Sequence, residues 1–168
     1  KKGGVSIVTI SVDSAIPEIH DRFRGVPGSH RAALDGAEKV RDAGMIPFLC
    51  SVATSGNIRS GDLRRLSDLA GERGYTMTLQ IACPVGKWTG ETAPLLTPDD
   101  RREFYALTRR PHMRWEGCSN YLQEGCPAGV EKIYISPYGD VMPCTFLHIS
   151  FGNLREEPLA KVWRPLRS

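Results

Sequence analysis

The chain contains 168 residues, of which 40% are hydrophobic and 24% are charged, which is ordinary for a globular domain. Its formal net charge of +3 is small and the basic residues are scattered, which argues against a surface for nucleic acid or membrane. No apolar run approaches the roughly 20 residues that span a bilayer, and no signal-peptide core follows the first lysines, so we expect a cytoplasmic protein.

Apolar strands alternate with helices in the first part of the chain, as in βα units. The first strand is predicted at residues 5–12, where β-branched side chains are typical of a strand buried on both faces. Ser29 is predicted to cap the helix that follows, and Gly44 to end it. The second strand is predicted at residues 45–54.

The same alternation continues through two further helices and a third strand. A helix is predicted at residues 60–73, and a strand at residues 75–82. Thr97 and Pro98 stand in the order expected for the N-cap and first position of another helix. These elements predict an α/β protein with about three βα units in a parallel sheet.

This periodicity ends near Pro111, where a segment that contains three of the five cysteines begins. We therefore predict two domains, at residues 1–110 and 111–168. The odd number of cysteines, without an export signal, favours reduced thiols or metal ligands over a disulfide framework.

Polar side chains stand near the carboxyl end of each predicted strand, where parallel α/β folds gather their functional groups. Hydroxyl and carboxylate groups at such positions suit a ribose diol. Turn capping is an equally good explanation for the acidic residue and the serine that follow the first strand. The residues selected by this rule are Ser11, Asp13, Ser14, Thr54, Asn57, Gln80 and Cys83.

Residues 20–25 place an imidazole and two guanidinium groups within a few positions of one another. Arg24 is a candidate for bidentate binding of a carboxylate. For His20 we favour a structural role, in which the side chain fastens its loop to the sheet. Asp21 and His20 are not predicted to form an acid/base pair, because adjacent side chains rarely face each other.

Two cysteines, Cys126 and Cys144, bracket a predicted β-hairpin whose turn is the Pro-Tyr-Gly-Asp sequence at residues 137–140. The hairpin would carry the second thiol back towards the first, and paired thiolates suit an iron–sulfur cluster or zinc. The Cys-x2-Cys knuckle of most zinc sites is lacking, so iron–sulfur is preferred. Cys118 lies in a flexible loop and is a candidate third ligand, whereas Cys50 is predicted to be a buried small hydrophobe.

The spacing of Cys126, Gly139 and Cys144 resembles the opening of the SPASM or twitch auxiliary iron–sulfur domain of radical SAM enzymes. The likeness continues through residues 150–159 and Val162-Trp163. Upstream, the fourth strand and the next helix of the radical SAM barrel resemble residues 10–14, residues 20–25 and Gly28-Ser29. The resemblance thus covers nearly the whole chain.

This resemblance implies a partial (β/α) radical SAM barrel, which is TIM-like, followed by a small SPASM/twitch segment with a β-hairpin. The implied cofactors are S-adenosylmethionine and a [4Fe–4S] auxiliary cluster. Ser11 stands where the family's fourth strand contacts S-adenosylmethionine, and Arg24 is the candidate clamp for the methionyl carboxylate. The complete implied sets are Ser11, Asp13, Arg24 and Thr54 for the cofactor, and Cys126, Cys144 and Cys118 for the metal.

The family's Cys-x3-Cys-x2-Cys loop, which holds the catalytic cluster, does not occur in these 168 residues. We therefore expect the C-terminal portion of a longer enzyme, inactive alone. The family relation implies reductive cleavage of S-adenosylmethionine and radical modification of a peptide or other small substrate. The alternative is a noncatalytic truncated fragment that binds Fe–S, zinc or a partner.

The first predicted strand leaves an unpaired apolar edge if the barrel is partial. We expect the missing N-terminal half, a partner chain or a second copy to cover it.

Overall fold

The computed structural model describes residues 4–115 and 127–163. The chain divides into two compact units, Lys1–Glu116 and Gly117–Ser168. The first unit carries a parallel sheet with helices, and its sheet extends past residue 110 to Trp115. The second unit carries a short hairpin.

Four parallel strands form the sheet of the first unit, and they are ordered as they occur in the chain. The three predicted strands are confirmed, with their parallel pairing. The fourth strand was not predicted, since three residues are too few to show an alternating pattern. The strands are β1 (Ile7–Ser11), β2 (Ile46–Ala53), β3 (Thr76–Ile81) and β4 (Met113–Trp115).

Helices follow the first three strands of the sheet. Among the described residues, no helix is both long and apolar enough to cross a lipid bilayer. The predicted cap at Thr97 is confirmed, because its hydroxyl accepts a hydrogen bond from the Asp100 backbone N–H. The prediction for Ser29 is wrong by one position: Gly28 is the N-cap, and the Asp21 carboxylate accepts the N–H bonds of Gly28 and His30 instead. The helices of this unit are α1 (Pro17–Arg24), α2 (Ser29–Asp42), α3 (Ser55–Arg59), α4 (Asp62–Glu72) and α5 (Pro98–Thr108).

The helices cover one face of the sheet, and the hydrophobic core lies between them and the strands. Its fully buried members include Val12, Leu49, Leu63, Leu66, Met77, Leu79 and Phe104. The prediction that β1 is buried on both faces is wrong, because Ile7 is 50% exposed and Ser11 is also exposed. Cys50 is opposite Ser11 in the register and is partly exposed, so it is not the buried hydrophobe that was predicted.

A polar network fastens α3 to α5. The Asp100 carboxylate accepts hydrogen bonds from Arg59 Nε at 2.9 Å and from the Ser55 hydroxyl at 2.6 Å. The Arg59 guanidinium is the first cause that holds the pKa of Asp100 well below its usual range, and the Ser55 hydroxyl is the second. Because Asp100 is nearly fully buried, the network fixes α3 and the cap residue Thr54 that begins it.

The second unit contains the predicted hairpin, which is confirmed. Its strands β5 (Tyr134–Ile135) and β6 (Val141–Met142) are antiparallel, and a short helix, α6 (Leu159–Val162), follows. Gly139 in the turn has φ +94°, in the left-handed region that favours glycine. The Asn153 side chain closes the turn by donating to the Tyr138 carbonyl and to Asp140 Oδ1.

Candidate functional site

Asp13 and Arg24 form an ion pair beyond the carboxyl end of β1. Arg24 Nε donates to Asp13 Oδ2 at 2.5 Å. The Asp13 side chain is 3% exposed and that of Arg24 is 37% exposed, so the carboxylate anchors a guanidinium that reaches the surface. Since the contact uses Nε, the terminal nitrogens of Arg24 remain a suitable fork for a carboxylate ligand.

His20 holds the backbone of Asp13 in place. The Asp13 N–H donates to His20 Nδ1 at 3.0 Å, and the imidazole is 1% exposed. The ring packs edge-on against His30, with 5.5 Å between centroids. Asp21 faces the start of α2 instead, so His20 and Asp21 do not form an acid/base pair. The predicted fastening role of His20 agrees with this geometry.

The burial of His20 predicts acid-sensitive stability. Burial lowers its pKa from the usual 6.5, against an opposing contribution from the Asp13 carboxylate. Below about pH 6.5 the unfolded chain therefore takes up a proton that the folded chain does not. The free energy of unfolding should fall as the pH drops from about 6.5 towards the lowered pKa of folded His20, and His20 should have no effect on the slope above that window.

His20→Asn provides the comparison, because the amide oxygen can accept the Asp13 N–H bond but does not titrate. Urea unfolding between about pH 5 and pH 8 should show a shallower pH dependence for this variant than for the unchanged chain. The exposed His148, in the second unit, gives a matched control, since His148→Asn removes an imidazole without touching the Asp13 N–H bond. Equal slopes for His20→Asn and the unchanged chain would contradict the assignment.

A cavity of about 280 Å³ lies beside Asp13. One side is apolar, and the other carries two nearly fully buried carboxylates, Asp13 and Asp62. The Ser14 hydroxyl donates to Asp62 Oδ1 at 2.9 Å, which ties Asp62 to the residue next to Asp13. The residues that line the cavity are Asp13, Ile19, Phe23, Thr54, Gly56, Asn57, Ser60 and Asp62.

The four predicted cofactor residues are only partly brought together. Asp13 contacts Arg24 directly, and Thr54 lines the same cavity as Asp13. Thr54 is also the N-cap of α3: its hydroxyl accepts from the Asn57 N–H, while its own N–H donates to the Asn57 side chain. Ser11 ends β1 on the exposed face of the sheet, opposite Cys50, and is not among the lining residues.

Asp62 is the site residue that sequence reasoning missed. It stands at the first position of α4, where an acidic side chain is ordinarily explained by the helix dipole. The hydrogen bond from the Ser14 hydroxyl to Asp62 joins residues 48 positions apart, so no periodic pattern in the sequence indicates it. The available sign in the sequence was an acidic residue directly after Gly61, at the start of a helix.

One of the three predicted metal ligands, Cys144, lies among the described residues, while Cys118 and Cys126 lie outside them. Cys144 follows β6 and is partly exposed. The Pro143 carbonyl accepts the Gly129 N–H at 3.1 Å, so the chain just before Cys144 lies against the chain that follows residue 126. In residues 4–115 and 127–163, no three His, Cys, Asp or Glu side chains group as metal ligands would.

A family comparison matches residues 126–167 to SPASM, an iron–sulfur cluster-binding domain. The matched region includes Cys126 and Cys144 and the hairpin between them. The donor chemistry agrees with the match, since thiolates are the usual ligands of iron–sulfur clusters.

Curated relatives match over nearly the whole chain. The AdoMet-dependent heme synthase of Nitratidesulfovibrio vulgaris is 28% identical, over 98% of this chain and 53% of the relative. The enzyme of the same name from Methanosarcina barkeri is 26% identical, over 97% and 54%. The chain thus spans about half the length of the curated relatives that it matches.

Solved structures share the fold. The structure described as native anSMEcpe with bound AdoMet and Kp18Cys peptide has a TM-score of 0.61 and 18% identity, covering 94% of this chain and 50% of that one. A polyhistidine-tagged form of anSMEcpe with bound AdoMet has a TM-score of 0.64 and 17% identity, over 94% and 48%. At these identities the likeness concerns the fold.

Proposed function

We propose that this chain is the C-terminal portion of a longer radical SAM enzyme with a SPASM iron–sulfur cluster-binding domain. The observation that carries the proposal is the SPASM match at residues 126–167, directly after a parallel α/β unit with polar groups at its carboxyl edge. The shorter span relative to the curated relatives supports it.

The first unit would contribute to the binding of S-adenosylmethionine. Arg24, held by the buried Asp13, offers its terminal nitrogens to the methionyl carboxylate. The exposed Ser11 hydroxyl at the end of β1 would add a polar contact to the cofactor. Thr54, which lines the same cavity as Asp13, would add a contact from the cavity wall. S-adenosylmethionine together with a reduced cluster supplies the radical chemistry, and the protein supplies positioning and shielding from water.

The second unit would hold the auxiliary cluster through Cys126 and Cys144, with Cys118 as a third candidate ligand. The Gly129–Pro143 hydrogen bond supports a short separation between the two chain segments that carry Cys126 and Cys144. Thiolates are soft ligands, and they bind the iron of such clusters better than they bind cations that prefer oxygen ligands.

A covering segment for the sheet is part of the proposal. Val5, which precedes β1, and Ile7, the first residue of β1, are each 50% exposed. Ile46, at the start of β2, is 53% exposed. Apolar side chains at an edge strand favour pairing with another segment. An N-terminal half-barrel, a partner chain or a second copy would bury them, and we place the assembly in the cytoplasm, where thiol ligands stay reduced.

For the substrate, we propose a peptide or another small molecule. The name of the curated relatives refers to heme synthesis, and one structural neighbour holds a peptide together with AdoMet. Both classes fit a barrel whose loops and auxiliary unit vary around a common cofactor site.

Anaerobic reconstitution tests the proposal. The purified chain, incubated with iron and sulfide, should bind both in stoichiometric amounts and show the absorption and electron paramagnetic resonance signals of an iron–sulfur cluster. Metal analysis should find little zinc. Zinc in place of iron, or no bound metal, would instead support the alternative, a noncatalytic metal- or partner-binding fragment.

A further inference from the structure

Leu147 lies directly opposite the candidate cluster ligand Cys144. The two residues form an antiparallel β-bridge, and Thr145 and Phe146 make the turn between them. Residues that are paired in an antiparallel bridge carry their side chains on the same face, with Cβ atoms about 4.5–5.5 Å apart. The Leu147 side chain therefore lies beside the side chain that carries the Cys144 thiol.

Hydrogen bonds hold the chain in this shape beyond the bridge. The Thr145 carbonyl accepts from His148 Nε2 at 2.8 Å. The Ile149 N–H donates to the Leu147 carbonyl at 2.9 Å, and the Phe151 N–H then donates to a β6 carbonyl at 2.9 Å. The position of Leu147 is thus fixed on both sides by contacts within the second unit.

The chain around Cys144 is apolar and uncharged. Residues 141–154 contain no Asp, Glu, Lys or Arg. Cys144 is partly exposed, and the Leu147 side chain beside it is 46% exposed. The apolar shell around a metal site controls the access of water and, through it, the reduction potential of the metal. An aliphatic side chain next to a ligand sulfur belongs to such a shell.

We propose that Leu147 shields the auxiliary iron–sulfur cluster from water on the side of Cys144, and that it thereby sets the reduction potential of the cluster and its stability in air. The inference rests on the proposed function, since it takes Cys144 as a cluster ligand. Leu147 has no ligand atom and acts through the water that it excludes.

Leu147→Ser, in the anaerobically reconstituted chain, admits water to this side of the cluster. The reduced cluster carries more negative charge than the oxidised one, and water stabilises the more charged state better. The reduction potential should therefore shift upward in a dithionite titration followed by electron paramagnetic resonance. In heavy water, the electron–nuclear double resonance spectrum of the reduced cluster should gain deuteron couplings. In air, the visible absorption should fade several-fold faster.

Ile135→Ser is the matched control. Ile135 is an aliphatic residue of the same unit with nearly the same exposure, 44%, but it pairs with Val141 at the turn end of the hairpin. It should leave the potential and the fading rate unchanged. Leu147→Ile keeps an aliphatic side chain at the position and should behave like the unchanged chain. An unaltered potential and fading rate in Leu147→Ser, or an equal change in Ile135→Ser, would overturn the proposal.

The metal-free chain tests the placement of Leu147 separately. Iodoacetamide should alkylate Cys144 faster in Leu147→Ser than in the unchanged chain, as measured by mass spectrometry of the peptide that contains Cys144. Equal alkylation rates would contradict the placement. A chain that binds no cluster would overturn the proposed function and the shielding together, whereas a bound cluster that Leu147→Ser leaves unaltered would overturn the shielding alone.

Discussion

Replacing Cys144 with alanine should abolish the iron–sulfur signal of the reconstituted chain. Cys144 follows β6, next to a carbonyl that accepts the Gly129 N–H, in the region matched to an iron–sulfur cluster-binding domain. Clusters of this kind are held by thiolates, and alanine offers no ligand atom. Iron content, sulfide content and the visible absorption of the variant should all fall together.

Cys126→Ala should have the same effect as Cys144→Ala. The matched control is Cys50→Ala, because this thiol belongs to β2 in the first unit and should not contribute to the cluster. Iron retained by Cys144→Ala at the level of the unchanged chain would exclude Cys144 as a ligand. Loss of iron in Cys50→Ala would mean that the cluster has been assigned to the wrong unit.

Gly139→Ala should destabilise the hairpin of the second unit by about 1–3 kcal/mol, the usual cost of a residue held in a sparsely populated backbone region. The backbone at this position has φ +94°, and a Cβ atom would come within 2.7 Å of Asn153 Oδ1. The Asn153 side chain cannot move freely, because it bonds the Tyr138 carbonyl and the Arg155 N–H. The substitution thus introduces both backbone strain and a steric conflict.

Hydrogen exchange at the amides of Val141 and Leu154 measures this effect, since these groups bond to Gly152 and Gly139 across the turn. Both should exchange faster in Gly139→Ala. Gly36→Ala is the matched control: it lies in α2 with open space around it, so alanine should be neutral or stabilise that helix by about 0.5–1 kcal/mol. Unchanged exchange in Gly139→Ala would contradict the described turn.

The sequence predicts the regular elements well where a physical pattern extends over several residues. Runs of β-branched residues locate β1 to β3, and the Pro-Tyr-Gly-Asp turn locates the hairpin. The five-residue helix α3 and the three-residue strand β4 were missed, because each covers fewer than two full repeats of the pattern that would reveal it. The predicted burial of Cys50 failed since helices cover only one face of the sheet.

The candidate site was predictable as a location, and much less so as a set of contacts. The rule for the carboxyl ends of parallel strands selected Asp13, Ser14, Thr54 and Asn57, which lie at or beside the cavity. It could not supply the Asp13–Arg24 pair or the bond from Ser14 to Asp62, since side-chain pairs far apart in sequence depend on tertiary packing.

The order of the four strands has a consequence for biosynthesis. Each strand pairs with the one made just before it, so each new strand finds its partner already available as the chain emerges from the ribosome. The first unit can therefore assemble stepwise from β1 to β4, without waiting for a distant segment. The edge of β1 that faces away from β2 is the edge at which a further strand would extend the sheet.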